Sequence, residues 1–199
     1  MALSETLLAK LKDPTLATDK ALINGQWQAS GEGGASFVVT NPSTGEVIAT
    51  LPDMTRADAA RAIDAAHKAQ KLWAKKTGKE RAAVLRKLYD LMVANADDLA
   101  AILTMEMGKP LTEAKGEILY GAAYVEWFGE EAKRVYGDTI PGHQPDKRII
   151  VLKQPIGVSP RGWVEISPDG MHWVREGTEF DMPAEVDGLA SARVQHFAN

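Results

Sequence analysis

The residue types that perform covalent or redox chemistry are sparse in this 199-residue chain, and one of them is missing altogether: it contains no cysteine. That absence excludes disulfides, thiolate metal sites and a thiolate nucleophile anywhere in these residues. His67 sits on the Lys-rich side of a helical segment and His143 in a Gly/Pro-rich loop. Neither has a partner at metal-ligand spacing, so both are expected at the surface, and His172 and His196 gain no metal role either. The acidic pairs Asp97–Asp98 and Glu130–Glu131 are adjacent residues in helical segments, where neighbours point in different directions. Solvated faces are expected rather than acid/base pairs. Gly31, Gly33 and Gly34 would cradle a phosphate only with a strand before them and a helix opening directly after. A further β-branched run follows, so a flexible turn is expected. Tyr120, Tyr124 and Phe128 recur at four-residue spacing, an aromatic stripe of helical period expected to be core. The residues alone therefore nominate no catalytic, cofactor-binding or metal-binding side chain.

The elements that must position these residues are legible from periodicity. "ALINGQWQAS" and "SFVVTNPSTGEVIATLPD" are β-branched and aromatic runs separated by turn formers. They predict a short strand near Leu22 to Gln28, then a hairpin pairing Ser36–Thr40 with Val47–Leu51. From Thr55 the period becomes helical. Thr55 and Asp58 stand in a capping-box arrangement, and Ala59, Ile63, Ala66 and Trp73 share one face with the polar Gln70. A second helical segment, broken near Asn95, stops at Gly108 and Pro110, and a third runs from about Thr112 to Tyr136. A loop and a strand, Arg148 to Lys153, follow, with another strand starting at Ile156. The fold class expected is α/β or α+β: a small β unit, three helices and a return to strands.

Composition places the chain among ordinary globular proteins, with 45% hydrophobic and 25% charged residues. The net charge of −4 is modest and the basic residues are interspersed with acidic ones, which argues against nucleic-acid binding. No stretch is apolar enough to span a bilayer. Leu3, Leu7, Leu8 and Leu11 have helical spacing without the apolar core and cleavage site of a signal peptide, so cytoplasmic residence is the expectation.

The order and spacing of "INGQW", "VTNPSTGEVIATLP", "AIDAAHKAQKLW", "KERAAVLRKLYDLM", "ANADDLAAILTMEMGKPLTEAKGEI", "YVEWFGEEAKRVYGDTIP" and "RIIVLKQPIGV" resemble the amino-terminal part of an aldehyde dehydrogenase. Within that superfamily the later segments are most similar to the bacterial NADP-dependent succinate-semialdehyde dehydrogenases. The resemblance covers about residues 20–158, after an extension of residues 1–20. It implies NADP or NAD as cofactor, an oligomeric assembly, an arm strand near Ile149–Lys153 that adds across a subunit boundary, and an aldehyde tunnel to which Tyr120, Tyr124 and Phe128 contribute. It also implies an oxyanion Asn, a cofactor-binding Lys, a glycine-rich cofactor turn, a Glu base and a Cys nucleophile, all expected after Val158 and none matched here.

Residues 159–199 follow another pattern. "GWVEIS" and "MHWVREG" flank "PDG", which predicts a β-hairpin turning at Pro168–Gly170 with Trp163 and Trp173 on its arms. "LASARVQHFA" reads as a short strand or frayed helix. The chain is thus expected to be a truncated or fused family fragment that is inactive and binds no nicotinamide by itself. It would self-associate, or act as a module pairing with a full-length subunit through its arm strand. Apolar faces at Leu85, Leu88, Leu91, Leu99 and Ile102 are expected to be uncovered.

Overall fold

The computed structural model describes residues 2–155, residues 157 and 158, and the backbone of two strands at 164–167 and 170–173. The chain divides into two units, Met1–Val158 and Ser159–Asn199. In the first, β1 (Ala2–Leu3) leads into a one-turn helix, α1 (Glu5–Leu8), capped by the Ser4 hydroxyl, which accepts from the Leu7 N–H at 3.1 Å. The helical spacing of the leucines yields only this turn. β1 instead pairs antiparallel with β5 and drops Leu7 into the core.

β2 (Ala21–Ile23) and β3 (Gln26–Gln28) form a hairpin of their own. The single strand expected over these residues is interrupted by Asn24 and Gly25, which take φ of 51° and 73°. That pair of left-handed residues is what a two-residue hairpin turn requires. β4 (Ser36–Thr40) and β5 (Val47–Pro52) form the expected second hairpin, and the sheet order is β1-β5-β4. Its register shifts between Val39 and Thr40, leaving Ile48 as an extra residue on β5. Ile48 joins Leu7 and Met105 in the central cluster, with Leu3, Ala17, Val39 and Ile102 packed around it.

Four helices follow: α2 (Arg56–Trp73), α3 (Gly78–Ala94), α4 (Ala96–Met107) and α5 (Leu111–Glu131). Two of them open with complete capping boxes, Thr55 with Asp58 and Thr77 with Glu80. The anticipated break near Asn95 separates α3 from α4. Gly108, at φ 79°, ends α4 in the left-handed cap that glycine adopts without strain. On α2, Ala59 and Ile63 are half-buried, whereas Ala66 and Trp73 of the same predicted face are exposed. α5 stops five residues earlier than expected, because the chain turns at Lys133 and Arg134 to start β6 (Asp138–Pro141). β6 pairs antiparallel with β7 (Arg148–Val151), so the region read as a loop before the arm strand supplies the strand's partner.

In the second unit β8 (Val164–Ser167) pairs antiparallel with β9 (Gly170–Trp173), and Ser167 stands opposite Gly170. The strand start anticipated at Ile156, and the reading of Leu189–Ala198, lie outside the described residues.

Candidate functional site

Helix α5 is where the sequence-predicted aromatics meet. Its small residues Ala114, Ala122 and Gly129 are buried, and they let α3 and α4 approach closely. A Cβ on Gly129 would stand 3.3 Å from that of Leu85. At 100° per residue, Tyr120, Tyr124 and Trp127 project from the side of α5 opposite these contacts, with Phe128 on its flank. The aromatic stripe is therefore not core. Tyr120, Tyr124 and Phe128 are 64%, 51% and 58% exposed. Trp127, 63% exposed, belongs to the same surface. The four-residue spacing picked out the other three and passed over it.

The two tyrosines form a unit. Their rings meet edge to face at 5.0 Å and 88°, and their hydroxyls are hydrogen-bonded at 2.7 Å. That hydrogen bond raises the Tyr120 phenol above its ordinary value. The pair presents one shared phenolic edge beside the indole of Trp127, a surface that suits apolar contact and hydrogen bonding.

The other side of the α3/α5 pair is polar. Lys79, Arg86, Glu126, Glu130 and Lys133 line a shallow groove there, and Arg86 spans it to Glu126 at 3.0 Å while also holding Asp90 at 3.1 Å. Glu131 pairs with Arg134. Exposed pairs of this kind contribute at most about 1 kcal/mol each. His67 and His143 are exposed as expected, and His143 lies in an open hollow between the arms of β6 and β7 with Arg148. Among the described residues no cluster of three His, Asp or Glu side chains is placed to hold a metal ion.

Of the acidic pairs expected on solvated faces, Asp97 is exposed as expected and Asp98 is not. Asp98 is buried at the start of α4 and accepts the backbone N–H groups of Lys12 and Asp13 at 3.0 and 2.8 Å. Asp97 beside it accepts from Lys115 at 2.6 Å and Lys12 at 2.9 Å, and these ammonium groups hold its carboxyl at about 2. Together they fasten the amino-terminal segment to α4 and α5, a structural role that the sequence separation of 86 residues concealed.

Asp58 is wholly buried at the first turn of α2. It accepts the Thr55 N–H and hydroxyl, both at 2.8 Å, and the Glu32 N–H at 3.1 Å, and it pairs with Arg61. The Thr55 N–H is the main reason its carboxyl lies below the ordinary value. The Thr55 hydroxyl, Glu32 N–H and Arg61 add to this, while burial opposes it. This arrangement bears on the glycine-rich turn between β3 and β4. A Cβ on Gly31 would come within 2.6 Å of the Asp58 carboxylate. The turn's N–H is thus spent on a protein anion, a strand follows it, and the next helix to open, α2, has its first turn capped from within. These residues do not fit a dinucleotide phosphate.

Comparison with known proteins gives this arrangement its context. A profile of the aldehyde dehydrogenase family matches residues 27–161. The chain is 59% identical over 150 residues to glutarate-semialdehyde dehydrogenase of Pseudomonas putida. It is 53% identical over 150 residues to the NADP(+) succinate-semialdehyde dehydrogenase of Escherichia coli. In both cases the match takes in 75% of this chain and 31% of the relative. The crystal structure of succinate-semialdehyde dehydrogenase from Burkholderia pseudomallei superimposes with a TM-score of 0.71 at 56% identity, over 74% of this chain and 30% of that one. The chain therefore spans about a third of the length of its relatives, and within that span both sequence and backbone agree: it belongs to the aldehyde dehydrogenase family.

Proposed function

We propose that this chain supplies the amino-terminal part of an enzyme that oxidises a short semialdehyde bearing a distal carboxylate, and that it does not catalyse the reaction by itself. The observation that carries the reading is the identity of 59% and 53% to glutarate- and succinate-semialdehyde dehydrogenases in a chain without a single cysteine. The family route, as the resemblance implies it, adds a thiolate to the aldehyde and passes hydride to NADP or NAD. With no thiol, that adduct has no nucleophile in these residues, and the glycine turn does not fit the cofactor. What this segment contributes is a wall: Tyr120, Tyr124 and Phe128 would line the approach of the aldehyde.

Two measurements test this reading. Purified chain incubated with succinate or glutarate semialdehyde and either cofactor gives no reduced nicotinamide; turnover proportional to chain concentration overturns its inactivity. A chimera in which residues 20–158 replace the matching segment of the Pseudomonas putida enzyme oxidises the semialdehyde, and Tyr124→Ala in that chimera raises KM more than it lowers kcat. An inactive, folded chimera overturns the assignment.

A second reading has its own observation. Among the described residues β7 pairs with β6 alone, and Ile149, Ile150 and Leu152 are exposed beside its other edge. Such an edge offers unpaired backbone groups to an added strand. On this reading the chain is a module that joins a full-length dehydrogenase subunit. Co-purification with that enzyme, abolished by Ile150→Lys, supports it, and a chain that ignores the enzyme removes it.

A further inference from the structure

Over most of the chain basic and acidic residues are interspersed, but residues 67–81 break that pattern. They hold six Lys or Arg and one acidic residue, Glu80, in a chain with 27 acidic residues against 23 basic ones. Glu80 is committed to its capping box, accepting the Thr77 N–H at 2.7 Å and the Thr77 hydroxyl at 2.8 Å. The fold adds a further cation. A Cβ on Gly78 would stand 2.5 Å from the Ala132 carbonyl oxygen and 3.3 Å from the Lys133 Cα, so the turn between α2 and α3 lies against the end of α5. Lys133 thereby joins Lys79 along one groove, where Arg86 already engages Glu126 at 3.0 Å and Glu130 is the other acidic group. Lys68, Lys71, Lys75, Lys76, Lys79 and Lys133 are all exposed, and none of them forms an ion pair among the described residues.

The end of α2 also carries its apolar and polar groups in the reverse of the usual order. The helix continues as a turn as far as Lys76, whose N–H donates to the Trp73 carbonyl. At about 100° per residue, Lys68, Lys75 and Lys76 fall on the same side as Leu72, while Ile63, Gln70 and Ala74 fall on the opposite side. The polar Gln70 is half-buried, whereas Leu72 is 68% exposed amid the lysines, with Trp73, 37% exposed, on its flank. Lysines that merely solvate a helix need no leucine at their centre. An apolar tip ringed by cations matches a surface that is anionic at its face and apolar just beneath it, the profile of a bilayer containing anionic lipid. A nucleic acid supplies the charge without the apolar layer. We propose that the end of α2 and the turn after it form a peripheral docking site for an anionic lipid surface. The lysines lie among the headgroups, and Leu72 and Trp73 reach the acyl boundary. Lying on a bilayer is distinct from crossing it, and no helix among the described residues is long and apolar enough to cross. The proposal is independent of the enzymatic reading above.

The test is flotation of the full 199-residue chain with vesicles of phosphatidylcholine alone, or of phosphatidylcholine with about one third phosphatidylglycerol. The chain is expected to float with the anionic vesicles and to stay behind with the neutral ones. It should dissociate as salt rises from about 0.05 to about 0.5 M, where exposed charges are screened within a few ångströms. Each lysine beside such a surface is worth about fivefold in partitioning, so Lys75→Gln with Lys76→Gln should lower it about 25-fold. Leu72→Gln keeps every charge and should lower it roughly tenfold. Lys147→Gln, in the loop between β6 and β7, leaves it unchanged. The substituted side chains are all exposed, and far-ultraviolet dichroism should match the parent's in each variant. Flotation that is absent, or equal with the two vesicles, overturns the proposal. So does binding that survives high salt, or partitioning indifferent to the lysine pair or to Leu72→Gln. An oligonucleotide or polyglutamate held as tightly as the anionic vesicles, by a chain in which Leu72→Gln changes nothing, would assign the lysines to a soluble polyanion instead.

Discussion

Asp58 shows how much one side chain organises here. Its carboxylate caps α2 through Thr55 and holds the Gly31–Glu32 turn against that helix. Thr55→Ala removes the reciprocal half of the capping box and is expected to cost about 1 kcal/mol in urea denaturation, the usual scale for an N-cap. Because the folded state depresses the Asp58 carboxyl below its ordinary value near 3.8, it binds fewer protons there than in the unfolded chain. Its stabilisation is complete above that ordinary value and is lost as pH falls through the folded one. Urea midpoints should therefore decline on acidification below about pH 4. Asp58→Asn should lower the neutral-pH midpoint and make the decline shallower, without abolishing it, because Asp97 and Glu80 are depressed too. The capping box was legible in the sequence because its partners lie three residues apart. The contact of Asp58 with Glu32, and that of Asp98 with Lys12, were not, because only the tertiary fold brings those residues together.

At the scale of elements, the helices were readable from period and punctuation, down to the break at Asn95. The strands were read less well. Periodicity found the β4–β5 hairpin but merged β2 with β3, although Asn24–Gly25 carries an ordinary turn signal, and it left β6 as loop. β6 is four residues long, contains Pro141 and is exposed throughout, so it has no apolar alternation to betray it. What defines it is its pairing with β7. The contact of α3 with α5 depends on glycine in a way that propensity hides. Gly129→Val would drive branched methyls into Leu85 and is expected to destabilise the chain by roughly 1–3 kcal/mol. Gly116, on the same helix, faces open space. Gly116→Ala should stabilise the chain by up to about 1 kcal/mol, since helix propensity is then the main change. Thermal melts of the two variants would separate packing from propensity on a single helix.

At the scale of the molecule, the segment that matches about a third of its relatives' length combines a buried core with exposed apolar helix faces. The sheet, α1 and α4 close around Leu7, Ile48 and Met105, a cluster complete within these residues. Among the described residues the layer of α3 and α5 is closed on one side. Of the five apolar residues expected to be uncovered, Leu88 and Leu91 are exposed, whereas Leu85, Leu99 and Ile102 are half-buried, Leu85 against Gly129 and Ile102 against the core cluster. The aromatic stripe expected in the core is exposed, because helical period reports that a face is apolar and not whether anything sits on it. A folded chain with such a surface should differ measurably from a loosely collapsed one. Apolar dyes should gain fluorescence in its presence under native conditions while its near-ultraviolet dichroism remains, the combination that separates a specific exposed face from a molten globule. Trp127→Gln and Leu88→Gln should each lower the dye signal with a smaller change in melting temperature than a core substitution, since both side chains are exposed to solvent over much of their surface. Ile48→Ala should do the opposite, raising the dye signal only by loosening the core, with a loss of roughly 2–5 kcal/mol in stability. If dye binding tracked stability across all three variants, the signal would report the core, and the helix faces would have to be regarded as covered in solution.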